Sequence, residues 1–240
     1  MKRLFGSVEA PPVPAAETAT AKQRRNTRFI RIAVILAIYL GLTYYGGEWG
    51  RSMLYPIKLF VTFLHELGHG LGTVLTGGEV VNLQVNENGS GFTRSLNGNY
   101  TAILMGGYIG SAIMGNLLLY IGARSHRASQ IVLCVLAVCM MVAATKWYNS
   151  VFTTGVLFVF AAVLLFIALK TKFDQEAAMF FGLISVIFII QDFNVGPTSD
   201  LGGYTEHIGI FSQTVWMYIW LLIVLVVTGL TVRLIWKLDT

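Results

Sequence analysis

"FLHELGHGLG", residues 63–72, places two histidines and a glutamate inside a run that otherwise has the composition of a membrane helix. An unpaired glutamate in hydrocarbon costs at least about 2.5–3.5 kcal/mol, so such a residue is read first as functional. The alternative is that His65, Glu66 and His69 hydrogen-bond to neighbouring helices as polar packing residues. Both readings require this stretch to lie among other membrane helices.

The rest of the chain meets that requirement. It has 240 residues, 55% hydrophobic and only 12% charged, with a mean hydropathy of +0.67. Soluble domains carry about 25% charged residues. The composition is that of an integral membrane protein, with room for about six to seven transmembrane helices of roughly 20 residues each. Apolar runs cover about 29–47, 53–76, 100–122, 129–146, 149–170, 176–191 and 213–236. The expected fold is therefore an all-α polytopic membrane protein. Residues 1–28 read as a disordered basic cytoplasmic tail, and 29–240 as a single transmembrane domain whose first run is a retained signal anchor.

Lys2, Arg3, Lys22, Arg24, Arg25, Arg28 and Arg31 precede or begin the first run. We read this cluster as a positive-inside signal that makes the N-terminus cytoplasmic, and not as a nucleic-acid surface. Counting seven crossings from there puts a 77–97 insert and the 191–212 loop on the cytoplasmic side. The 122–128 and 170–175 loops then fall outside, although they carry Arg124, Arg127, Lys170 and Lys172. The sequons at Asn88 and Asn99 are silent in that arrangement. Cys134 and Cys139 have neither redox nor zinc spacing.

The insert "GGEVVNLQVNENGSGFTRSLN" is the one non-helical segment with a pattern. Val81, Leu83 and Val85 alternate with Asn82, Gln84 and Asn86, "NENGSG" is a turn, and "FTRS" returns. This predicts a β-hairpin directly after the histidine helix.

His65 and His69 are four residues apart, which on a helix stacks them one turn apart on one face. Two such imidazoles can hold one zinc ion. Glu66 projects beside it, placed to take a proton from metal-activated water and return it to a leaving amine, the H-E-x-x-H arrangement of metallopeptidases. Counting along a spanning helix puts His65 roughly 17 Å from either end, so water needs a polar path inward. A third ligand is needed. Asp200 and Asp192 share the cytoplasmic side with the motif in this topology, whereas Asp174 and Asp239 do not. Asp200 is also a candidate helix cap, and Glu206 and His207 are more distant candidates. In "MGGYIGSAIMGN", residues 105–116, small residues recur every four positions and admit a closely packed helix, expected to be the histidine helix. Asn116 binds either substrate or a neighbouring helix, and Gly107 is a second candidate substrate-binding position.

H-E-L-G-H in an apolar helix, a following hairpin, a G-G-Y-x-G-S helix and a late Ser-Asp together resemble the site-2 protease family of intramembrane zinc metallopeptidases. The likeness is closest to its B-like branch, peptidase family M-50, and covers about 53–210. The resemblance implies a hydrolase with one zinc ion per chain, held by His65, His69 and Asp200, with Glu66 as general base. It further implies a membrane-embedded protein substrate, locally unwound, that pairs along the hairpin edge. Where better-known members have Asn-Pro-Asp-Gly, this chain has Ser199-Asp200-Leu201-Gly202. Where they have Gly-Pro in the glycine helix, it has Gly106-Gly107-Tyr108. The rival readings are an inactive protease-like membrane scaffold or chaperone, a peptidase with a soluble catalytic domain (for which no segment is long enough), and a polytopic transporter.

Overall fold

Helix α1 (Ala15–Tyr45) starts inside the polar leader, because "AAETATAKQRRN" is composed largely of strong helix formers. The computed structural model describes residues 15–147, 150–193, 196 and 199–239. The described part of the tail expected to be disordered is therefore helical from Ala15, and residues 1–14 lie outside the described residues. Gly46 and a left-handed Gly47 (φ 56°) turn the chain into α2 (Gly47–Leu75), which carries the histidines. The hairpin follows, β1 (Glu79–Val85) and β2 (Gly91–Leu96). Next comes a helix in three parts: α3 (Tyr100–Met105), a π-helical turn (Gly106–Gly110) and α4 (Ser111–Arg124). Then come α5 (His126–Lys146), α6 (Val151–Lys170), α7 (Asp174–Gln191), the short α8 (Asp200–Ile208) and α9 (Gln213–Trp236).

Six of these segments are long and apolar enough to cross a membrane: α1, α3 with α4, α5, α6, α7 and α9. Specific contacts sort their ends. At one end Arg31 pairs with Glu176 (2.7 Å), Gln175 donates to the Gly122 carbonyl (3.0 Å), and Gln130 donates to that of Ala168 (2.9 Å). The Phe29 ring meets Trp236 there (5.4 Å). At the other end Tyr39 donates to Gln191 (2.8 Å), Tyr108 donates to the Asp192 carbonyl (3.0 Å), and Tyr100 meets His207 (5.3 Å).

Helix α2 does not run from one end to the other. It starts with Gly50 against Leu42, at the far end of α1. It finishes with Thr76 accepting from the Asn99 backbone N–H (2.8 Å), beside Tyr100 at that same end. Both ends of this continuous 29-residue helix therefore lie toward the hairpin end of the bundle. Lys58 and Glu66 lie within this helix, and each would cost about 2.5–3.5 kcal/mol if left unpaired in hydrocarbon. The six spans fall within the six to seven expected, and α2 is not among them. The start of α1, the 122–128 and 170–175 connections and the end of α9 share one end of the bundle. The hairpin and α8 lie at the opposite end.

The hairpin forms as expected, with one change of phase. Val80, Leu83 and Val85 are buried while Val81 is exposed, because a bulge between Val80 and Asn82 shifts the register. The turn is closed by Asn86 N–H donating to the Ser90 carbonyl (2.7 Å), with Gly89 at φ 81°. The strands lie along α2, whose side chains hold the turn carbonyls. Tyr55 donates to Glu87 (2.6 Å), Lys58 to Asn88 (3.0 Å) and Thr62 to Gly89 (2.8 Å).

The glycine stripe serves two partners. A Cβ on Gly106 would run into the Gly68 carbonyl, and one on Gly68 into the Gly106 carbonyl, so α2 and the π turn meet backbone to backbone. Further along the same helix, Gly115 and Gly122 admit α7, where Gly182 meets the Leu119 backbone. Gly106→Leu is expected to cost more than the roughly 1–3 kcal/mol of ordinary overpacking, since the obstacle is backbone. Gly155→Leu, at a position with open space around it, should stay within about 0.5 kcal/mol. Thermal unfolding of the two variants in detergent is the comparison.

Candidate metal centre

Three chain segments converge on one point. His65 and His69 come from one face of α2, and Asp200 from the first turn of α8, 135 residues later than His65. Ser199 caps α8 by accepting from the Gly202 N–H (3.0 Å), which aims the Asp200 carboxylate at the histidines. His65 Nε2 lies 3.0 Å from Asp200 Oδ2 and 3.1 Å from His69 Nε2. His69 Nε2 lies 3.3 Å from the same carboxylate oxygen. Among the described residues these three form a group able to hold a metal ion.

The hydrogen bonding around the group fits that use. The His69 Nδ1–H donates to the Ile103 carbonyl (2.7 Å). With that proton placed, neutral His69 turns a lone pair from Nε2 toward the carboxylate and the second imidazole. Lone pairs at this spacing repel unless a proton or cation sits between them, and a single cation satisfies all three. A carbonyl behind a ligating histidine is the common way its tautomer and angle are fixed. Burial works against the charge on Asp200, yet hydrogen bonds from His65 and His69 hold its carboxyl well below the usual carboxylate range.

Glu66 is 3% exposed and sits beside the group. Thr93 of β2 lies with its hydroxyl 2.9 Å from both the backbone carbonyl and Oε2 of Glu66. The hairpin thus holds this carboxylate, and Gly91 is what lets the strand come so close. A Cβ at Gly91 would stand 2.6 Å from Glu66 Oε1. On the other flank Gly107 leaves room for the imidazoles, since a Cβ there would fall 2.5 Å from His69 Cε1 and 2.7 Å from His65 Cε1. The Tyr108 ring packs edge-on against His65 (4.8 Å).

Two cavities meet at the group. One, of about 540 Å³, runs between β2 and α3 and is bounded by Phe92, Ser95, Asn97 and Tyr100. The other, of about 320 Å³, lies between the hairpin turn and the end of α7, reaching Ser90, Phe188 and Asp192. His65, Glu66, Gly91 and Asp200 border both. The group sits at the level of the Tyr108 to Asp192 contact, near one end of the bundle. The earlier depth, counted along a spanning helix, placed it midway.

The remaining candidates fall elsewhere. Asp192 borders the second cavity without joining the three donors; burial raises its carboxyl above the usual range, with His65 and then Lys58 acting against that. Asn116 borders neither cavity, and its Nδ2 donates to Ala112 and to Thr228 of α9 (3.1 Å), the interhelical alternative. Glu206 and His207 are exposed on α8. Asp174 is at the opposite end, paired with His126, and the side chain of Asp239 lies outside the described residues. Thr93, Tyr108 and the Ile103 carbonyl were not singled out in advance. Their roles depend on how the hairpin and α3 pack on α2, which no local pattern carries.

The family model described as Peptidase M50B-like matches residues 30–231. Comparison with curated proteins and with solved structures found no match. Gly107→Val is expected to push the imidazoles apart and weaken metal binding roughly 10- to 100-fold, the usual cost of disturbing groups around ligands. Gly110→Ala, whose Cβ makes an ordinary 3.5 Å contact, should bind as the unaltered chain does. Zinc titration of both variants in detergent measures the difference.

Proposed function

Because the chain belongs to the Peptidase M50B-like family, an integral membrane family here with six apolar spans, we propose that it is an intramembrane zinc metallopeptidase. The observation that carries this is the convergence of His65, His69 and Asp200 with Glu66 beside them. Ligands about 2.0–2.1 Å from a tetrahedral zinc stand about 3.3–3.4 Å apart. The three donors here are 3.0, 3.1 and 3.3 Å apart, a slightly contracted version of that triangle.

Zinc, when bound, supplies Lewis acidity to a scissile carbonyl and acidifies water. Glu66 accepts a proton from the attacking water as the carbon–oxygen bond forms. It delivers that proton to the amide nitrogen as the carbon–nitrogen bond breaks. Thr93 keeps Glu66 facing the cavity floor. A helical substrate hides its amides in its own hydrogen bonds, so it must be extended before attack. β2 is the edge strand on the cavity wall, and pairing along it would hold a substrate extended. The substrate is accordingly a membrane-embedded protein segment.

The unaltered protein is expected to carry one zinc per chain. His65→Ala and Asp200→Ala should lose it, while Asp192→Ala should keep it. Glu66→Gln should keep zinc and lose about 10²–10⁴-fold in cleavage of transmembrane peptides. Thr93→Val should lose less, with zinc unchanged. Cleavage unaffected by Glu66→Gln would rule out the peptidase and leave a metal-binding scaffold. Metal analysis and peptide turnover on the same preparations decide it.

A further inference from the structure

At the end of the bundle away from the metal centre, α1 carries a basic face. Arg24, Arg28 and Arg31 recur at the i, i+4 and i+7 spacing that stacks side chains on one side of a helix. All three line a cavity of about 310 Å³ between α1, the end of α4 and the start of α7. Arg24 and Arg31 are exposed, while Gly122 of α4 and Met179 of α7 give the cavity a buried lining. The apolar side chains of α1 set this register. Phe29 and Ile32 pack against the cluster of Leu119, Met179 and Ile235. Arg25 lies over the Trp236 ring, 4.3 Å from its centre, and is committed there.

The cavity has more positive charge than the protein balances. Among the described residues no acidic side chain lines it. Glu176 stands next to it and pairs with Nη1 of Arg31 (2.7 Å), so one carboxylate meets three guanidinium groups. Arg24 has no ion-pair partner among the described residues. Like charges four residues apart destabilise a helix. Arg24 beside Arg28 therefore works against α1 unless an anion sits between them. Guanidinium groups suit phosphate, whose oxygens they bind in pairs. Basic pockets between membrane helices take the phosphates of lipid headgroups in this way. Along α1, Arg31, Val34 and Ile38 follow at i, i+3 and i+7 on one face, and Val34 and Ile38 are exposed. A basic cavity that continues into an exposed apolar stripe fits an amphiphile. A free phosphate would leave the stripe unused.

We propose that this cavity binds the phosphate of an anionic membrane lipid whose acyl chains lie along Val34 and Ile38. The bound headgroup ties the start of α1 to α4 and α7. The site is separate from the metal centre and stands whether or not the chain is a peptidase.

The test is binding of fluorescent phosphatidylglycerol to the full chain in uncharged detergent. Unlabelled phosphatidylglycerol, phosphatidylcholine and inorganic phosphate serve as competitors. Saturable binding of one phosphatidylglycerol per chain is expected. Phosphatidylcholine, whose choline cancels the phosphate charge, should compete poorly, and inorganic phosphate more poorly still. Arg24→Gln should weaken binding roughly fivefold, and Arg24→Gln with Arg28→Gln roughly 25-fold. Arg24 is exposed and unpaired, so the single variant reports even if the double variant fails to fold. Lys170→Gln, exposed at the same end but outside the cavity lining, should change binding by no more than about twofold. Binding that does not saturate, or that Lys170→Gln weakens as much as Arg24→Gln does, reflects general attraction to a basic surface and overturns the proposal. Displacement by inorganic phosphate as effective as that by unlabelled phosphatidylglycerol assigns the cavity to free phosphate and overturns the lipid.

Discussion

The contact between Gly68 and Gly106 is the constraint from which the centre is built. Each glycine leaves space for the other's carbonyl, so α2 and the π turn touch along bare backbone. That approach brings the Ile103 carbonyl within reach of His69 and sets Gly107 against both imidazoles. Any side chain at either glycine would separate the two segments and spread His65, His69 and Asp200. Small residues provide such closeness in membranes, where lipid offers no hydrophobic drive for helices to meet.

The hairpin completes what the glycines begin. Three side chains of α2 hold its turn carbonyls, and Thr93 in return holds Glu66. The polar groups of the hairpin turn are thereby satisfied by protein rather than left to lipid, the condition under which irregular backbone is tolerated at membrane depth. Tyr108 links the same region to the end of α7 through the Asp192 carbonyl, so the helix bearing the histidines is braced from both flanks.

Much of this was legible in the residues. The His65, Glu66 and His69 spacing, the strand alternation after it, the small residues of 105–116 and the approach of Gly106 to the histidine helix all follow from local patterns, and all four features are found. The path of α2 was not legible. An apolar run of spanning length looks the same wherever its ends lie, and the start of α2 depends on the left-handed Gly47 and on Gly50 meeting Leu42. The Val81 phase failed for a similar reason, because a bulge adds one residue without altering the alternation around it. Thr93 carries no signal of its own; only the packing of β2 on α2 brings it to Glu66.

The distance along the chain between the histidines and Asp200 has a consequence for biogenesis. Asp200 is synthesised 135 residues after His65. Four spans must enter the membrane between them. The nascent protein therefore holds an incomplete ligand set throughout most of its translation. The three donors can meet only after α8 has been made.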